Sequence, residues 1–223
     1  GSEMCIRDRD RICQIDVEVI SPVLIGGYDT KCFHKKLNNH EIIRETSIKG
    51  VWRWWARALI SAAYYNKFGK HIDIVNADKI LGLVFGSNNR ESKISINVYL
   101  KHRKYIEINT THRESPYRNI PRLRLAQIKD TVYGPGTTFA IHLYRSSLDL
   151  KENEEKLAII SLISSLIFDG IGKITSRGFG KVKIVKINPD KYKFMNFINE
   201  IYSSYDRESL EENVTQFLKE ALN

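Results

Sequence analysis

Two groups of residues have the types and spacing to hold a polyanion. Lys49, Arg53 and Arg57 stand four residues apart, so on a helix their charged ends share one face. Three like charges in a row repel by about a few tenths of a kcal/mol per pair, a cost that a bound phosphate backbone reverses. Trp52, Trp54 and Trp55 surround the stripe, and a helix buried on one side cannot hide all three. With Trp55 in the core, Trp52 or Trp54 is left on the flank, where an indole can stack on a base for about 1–3 kcal/mol. A solvated helix face, or three indoles packed on a neighbouring loop, would show the same spacing.

The second group is the stretch Gly170-Ile-Gly-Lys-Ile-Thr-Ser-Arg-Gly-Phe-Gly180. It places two Gly-apolar-Gly units between a helical and a strand pattern. Glycine permits positive φ and close backbone approach, so successive N–H groups can form an anion-binding nest, with Lys173 and Arg177 adding charge around Gly172 and Gly178. The pattern lacks the Gly-Lys-Ser/Thr ending of a P-loop and follows a helix instead of opening one, which excludes the common nucleotide fingerprints. A tight helix-to-strand turn is the plain alternative.

Chemistry of bond cleavage has few carriers. Six histidines (34, 40, 71, 102, 112 and 142) have no ligand spacing to one another or to a cysteine, so no metal or other cofactor is expected. Asp29, His34 and His40 are the positions at which a cleavage role would be tested. Cys5, Cys13 and Cys32 form no Cys-x-x-Cys pair, which argues against a zinc site or disulfide framework and for a reducing, cytoplasmic setting.

The elements that must position these groups follow from periodicity. Cys13 to Val19 alternates apolar and polar as a half-buried strand does. Tyr28 to Glu45 is polar and reads as a long loop. A helix capped by Thr46 or Ser47 runs to about Tyr65, with Val51, Trp55, Ala58, Leu59 and Ala62 as its buried stripe, and Gly69 breaks it. Ile94 to Leu100 alternates and is expected to pair with Tyr105 to Ile108. Arg113 to Arg124 is irregular and basic. Thr137 to Tyr144 is a strand, Lys151 to Phe168 a helix, and Phe179 to Ile187 the last strand, with Val182, Ile184 and Ile187 facing inward. One or two helices follow Pro189. The order suggests an α+β fold, a ferredoxin-like (RRM-like) βαββαβ sheet with helices on one face, long insertions and a C-terminal helical tail.

With 42% hydrophobic residues the chain can bury one substantial core. Residues 11–190 are read as the domain and 191–223 as an acidic helical segment. Residues 1–10 open with a Gly-Ser pair and are read as a cloning scar or disordered leader. The net charge of +9 is unevenly placed: from Phe194 onward six acids face two bases, a net of −4, leaving +13 on the rest. That excess suits a polyanionic partner, although a basic face docking on an acidic protein would carry it too. No apolar run is long enough for a membrane span.

The glycine-rich loop resembles the hallmark of the RAMP superfamily, the ferredoxin-like RNA-binding subunits of CRISPR effector complexes. Ser47-Ile-Lys-Gly-Val-Trp-Arg-Trp-Trp-Ala-Arg-Ala-Leu59, preceded by Pro22-Val-Leu-Ile-Gly-Gly27, is most similar to the subunit-one family of type III-B Cmr complexes, whose members are often longer. The resemblance covers roughly residues 11 to 187. It implies a non-catalytic subunit that holds CRISPR guide RNA near its 3′ end, and the paired target, among other Cmr-type subunits. Contacts would come from Gly26, Gly27, Lys49, Arg53, Trp54, Arg57, Gly172, Lys173, Arg177 and Gly178. A RAMP-type endoribonuclease that processes or cleaves CRISPR RNA is the alternative it leaves open.

Overall fold

Alternation in the first strand decides the layout of the protein: β1 (Arg11–Val19) buries Cys13, Ile15, Val17 and Val19 on one side and turns Gln14, Asp16 and Glu18 to the other. The computed structural model describes residues 10–26, 31–111, 128–204 and 206–222. After β1 come a short hairpin of β2 (Phe33–His34) and β3 (Asn39–His40), then α1 (Glu45–Phe68), α2 (Ile74–Phe85), β4 (Ile94–His102), β5 (Tyr105–Asn109), β6 (Lys129–Tyr133) and β7 (Thr138–Arg145). The chain continues through α3 (Glu152–Ser164), β8 (Val182–Asn188), α4 (Phe194–Tyr202) and α5 (Arg207–Leu222).

The central sheet has the order β4-β7-β1-β8, with every neighbouring pair antiparallel. The protein is thus α+β, an antiparallel sheet with helices. One sheet face is aliphatic: Ile94 and Ile96 from β4, Phe139, Ile141 and Leu143 from β7, and Val182, Ile184 and Ile187 from β8 join the β1 residues. Against it pack Ile48, Trp52, Ala56, Leu59 and Ile60 of α1, and Ala158, Ile159, Leu162 and Ile163 of α3. The acidic C-terminal helices close the same core through Phe194, Ile198, Ile201 and Phe217.

Four readings of the sequence need correction. The helical stripe is rotated by about one residue: Trp52, 1% exposed, is the core indole, and Trp55 lies only partly buried. Trp52 can be hidden because its Nε1–H donates to Ala158 O and Ser161 Oγ, both at 2.9 Å. Helix α1 starts at Glu45 after Arg44, with no side-chain cap from Thr46 or Ser47, and stops at Gly69 in the left-handed conformation. Tyr105–Asn109 pairs with Lys129–Tyr133 in a separate two-stranded sheet, and the neighbour of β4 is β7. The stretch read as a loop holds the β2–β3 hairpin, and α2 fills the interval between Gly69 and β4, capped by Asp73, which accepts from Asn76 N–H at 2.9 Å. The basic stretch 113–124 lies outside the described residues.

Candidate nucleic-acid interface

The glycine-rich loop begins where α3 loosens. Ser165–Asp169 forms a π turn, a geometry that widens the helix and recurs at functional sites, and Gly170 ends it at φ +90°. Gly172, Ile174, Gly178 and Gly180 also have positive φ. Three of the glycines are required by the chain's own backbone. A Cβ would lie 2.2 Å from Gly180 O at Gly170, 2.5 Å from Leu24 O at Gly172 and 2.0 Å from Ile171 O at Gly180. A Cβ at Gly178 would meet nothing within 4 Å among the described residues, so this glycine and the 3-10 turn Thr175–Arg177 before it form the open tip.

Six of the loop's backbone N–H groups are engaged within the protein. Gly170 N–H donates to Ser165 O, Ile171 to Gly180 O, Lys173 to Leu24 O, Arg177 to Ile174 O, Gly178 to Thr175 O and Gly180 to Pro22 O, at 2.8–3.1 Å. Those bonds fix the loop's backbone, so the side chains of Lys173 and Arg177 stand on a defined frame.

That frame is built from both sequence motifs. Leu24 and Lys173 form an isolated β-bridge. The Lys173 side chain lies across Gly26, where a Cβ would meet its Nζ at 1.8 Å. Lys181, which the sequence reading passed over, ties three segments: its N–H donates to Ser21 Oγ at 2.8 Å, and its Nζ to Phe168 O and Asp169 O at 2.9 and 3.0 Å. Its place directly after Gly180 was the available signal. Gly27 and Asp29 lie outside the described residues.

The stripe on α1 is largely engaged within the protein. Arg53 donates to Phe85 O and Gly86 O at 2.8 and 3.1 Å, closing the C-terminus of α2. Arg57 pairs with Asp78 at 2.6 Å, and Lys49 with Glu45 at 3.9 Å. Trp54 is 55% exposed and packs edge-on to Trp55, whose ring sits 5.2 Å from Phe168 of the π turn. The Trp55 Nε1–H is buried with no hydrogen-bond partner among the described residues. The exposed indole is thereby connected through Trp55 to Phe168, two residues before Gly170.

The histidines singled out for cleavage have structural partners. His34 Nε2 lies 2.7 Å from Glu41 Oε1, and Arg44 also reaches Glu41. His40 stacks on Tyr105 at 3.7 Å, its Nε2 buried with no hydrogen-bond partner among the described residues, and burial pushes its pKa below the usual imidazole value against the pull of Asp130. The hairpin borders a cleft of about 860 Å³ with Lys31, Lys35, Lys36 and Arg44 on its walls. Among the described residues no group of three or more His, Cys, Asp or Glu could hold a metal ion, and no helix is long and apolar enough to cross a membrane.

The sequence pattern of the RAMP superfamily matches residues 16–183. The chain is 25% identical over 244 aligned positions to the CRISPR system CMR subunit Cmr1 of Saccharolobus solfataricus, covering 73% of this chain and 52% of that protein. It is 28% identical over 181 positions to the CRISPR system Cmr subunit Cmr1-1 of Pyrococcus furiosus, covering 72% and 46%. The chain thus spans about half the length of these relatives. In fold it is similar to a chain in the cryo-EM structure of the type III-B Cmr-beta bound to cognate target RNA and AMPPnP in the presence of ssDNA, with TM-score 0.70, 19% identity and coverage of 96% of this chain and 64% of that one. The crystal structure of apo Cmr1 from Pyrococcus furiosus matches with TM-score 0.59 and 23% identity over 94% and 58%.

Proposed function

The protein belongs to the RAMP superfamily, and from that premise we propose that it is a non-catalytic RNA-binding subunit of a type III-B CRISPR (Cmr) effector complex acting in the cytoplasm. In this reading it holds guide RNA near its 3′ end, and the paired target, beside other Cmr-type subunits. The strand order β4-β7-β1-β8 supports a ferredoxin-like core, since it joins two β-α-β units with their strands interleaved.

The observation that carries the proposal is the frame in which Leu24 and Lys173 are bridged and Lys173 lies across Gly26. Rigid backbone presenting cationic side chains suits a sugar–phosphate chain whose sequence is read by base pairing and not by the protein. The contacts proposed are Gly26, Gly27, Lys49, Trp54, Gly172, Lys173, Arg177 and Gly178. Arg53 and Arg57 join them only where RNA displaces their present partners. The endoribonuclease reading would need His34 or His40 released from Glu41 and Tyr105.

The test is binding of a labelled single-stranded RNA at several salt concentrations, for the parent and for Lys173→Ala/Arg177→Ala, each mixture also being run on a denaturing gel. The parent is expected to bind intact RNA, and the variant to lose affinity and about 0.7 of salt slope per lost phosphate contact. Equal binding by both proteins would remove the loop from the interface, and cut RNA would favour the enzyme.

A further inference from the structure

Among the described residues no helix layer packs on the second face of the central sheet, and its side chains form a regular grid. Cross-strand register places Ser95, Tyr144 and Arg11 in one row, Asn97, His142, Gln14 and Asn188 in the next, and Tyr99, Ala140, Asp16 and Lys186 in the third. Glu18 lies opposite Lys183 beyond them. Tyr99 is 43% exposed, its ring 4.5 Å from that of His142. His142 Nδ1 lies 3.1 Å from the Tyr144 hydroxyl. Lys101 reaches across β7 to Asp16 Oδ1 at 2.7 Å, passing the small Ala140.

We propose that this face is a second RNA contact, a platform on which bases of a single strand stack against Tyr99 and Tyr144. In this arrangement the Gln14 and Asn97 amides, which flank His142, meet base edges, and Lys101, Lys183 and Lys186 meet phosphates. The composition carries the inference. On the buried face the same two strands offer Ile94, Ile96, Ile141 and Leu143, with Phe139 as their one ring, whereas rings, amides and lysines are gathered on the opposite side. Rings supply π faces that every base can use, amides supply both donor and acceptor, and four bases (Arg11, Lys101, Lys183 and Lys186) outnumber Asp16 and Glu18. The excess of positive charge selects a polyanion over an acid-poor protein surface. The proposal rests on the RNA-binding reading and adds to it a second surface whose rings lie on β4 and β7.

The test compares a labelled oligouridine with an abasic oligomer of the same length and charge, by fluorescence anisotropy, for the parent, Tyr99→Leu/Tyr144→Leu and Lys173→Ala/Arg177→Ala. The tyrosine variant should lose about tenfold or more on the oligouridine, keep the parent's salt slope, and bind the abasic oligomer as the parent does. The loop variant should lose salt slope instead. Should the leucine variant fail to fold, 4-thiouridine crosslinking to the parent replaces it, with adducts expected in 95–101 or 138–145. Unchanged affinity in the tyrosine variant, or crosslinks confined to 170–181, overturns the platform and leaves the loop reading standing. A parent that binds no RNA overturns both, and marks the face as a protein-docking surface.

Discussion

Gly172 and Gly178 have nearly the same φ, +87° and +88°, but only Gly172 faces a neighbour, with Leu24 O 2.5 Å from where a Cβ would sit. Alanine in either place meets the left-handed conformation, which costs an L-residue about 1–2 kcal/mol. Gly178→Ala adds nothing to that. Gly172→Ala must also push Leu24 O away, and so breaks the 2.8 Å bond from Lys173 N–H to that carbonyl. A broken bond that leaves its groups unsatisfied costs about 1–3 kcal/mol. The gap between the variants is therefore about 2 kcal/mol, and with a urea slope of about 2 kcal/mol per M it separates their midpoints by about 1 M. Equilibrium urea unfolding followed by tryptophan fluorescence measures it directly. RNA affinity should separate in the same order, because Gly172→Ala detaches the frame under Lys173 while Gly178→Ala leaves it in place. Coincident midpoints would refute the claim that the two loops are locked together through Leu24.

Three further outcomes follow from other contacts. Arg53→Met removes two bonds to the end of α2 and should lower stability by about 1–3 kcal/mol while leaving the RNA salt slope unchanged; a loss of slope would make Arg53 a phosphate contact instead. Burial pushes the Cys13 thiol up to about 12 and Cys32 up to about 11, so in a Cys5→Ser background neither should react with a disulfide reagent at about pH 8 until urea is added. Because both pKa values are raised in the fold, their contribution to stability is complete below the unfolded thiol value of 9.0 and is lost as pH rises toward the folded values. Burial opposes ionisation of Glu154, but the Lys151 N–H and the Lys93 ammonium, 2.9 Å away in each case, hold its pKa below 4.5. Its contribution is present above that value and lost as pH falls through the folded pKa, so the urea midpoint of Glu154→Gln should fall less than the parent's on acidification.

The strands of the central sheet were legible because each buries one face, and period-two alternation records that directly in β1, β4, β7 and β8. Even the break in register near the end of β8 is visible, in the spacing of Val182, Ile184 and Ile187. The phase of α1 was not legible, since three indoles within four residues make several arcs equally apolar. What selects Trp52 is an acceptor pair on α3, more than 100 residues away. The pairing of β5 with β6 was hidden for a related reason: a strand's pattern shows that it has neighbours and not which they are. At the loop, the glycines were visible and their reason was not. Gly170, Gly172 and Gly180 make room for carbonyls, and only Gly178 stands clear.

The position of β1 sets the timetable of folding. Its two neighbours are residues 138–145 and 182–188, so of the four strands in this sheet the earliest is also the one that waits longest for partners. At about 5–20 residues per second on the ribosome, both its edges stay unpaired for on the order of ten to thirty seconds. Closing such loops before any contact rewards them makes the sheet a late and cooperative event. Helix α1, whose contacts with α2 are local, can form while β1 is still waiting. Truncation within β8 should therefore leave a chain that contains every motif and still fails to assemble its central strand.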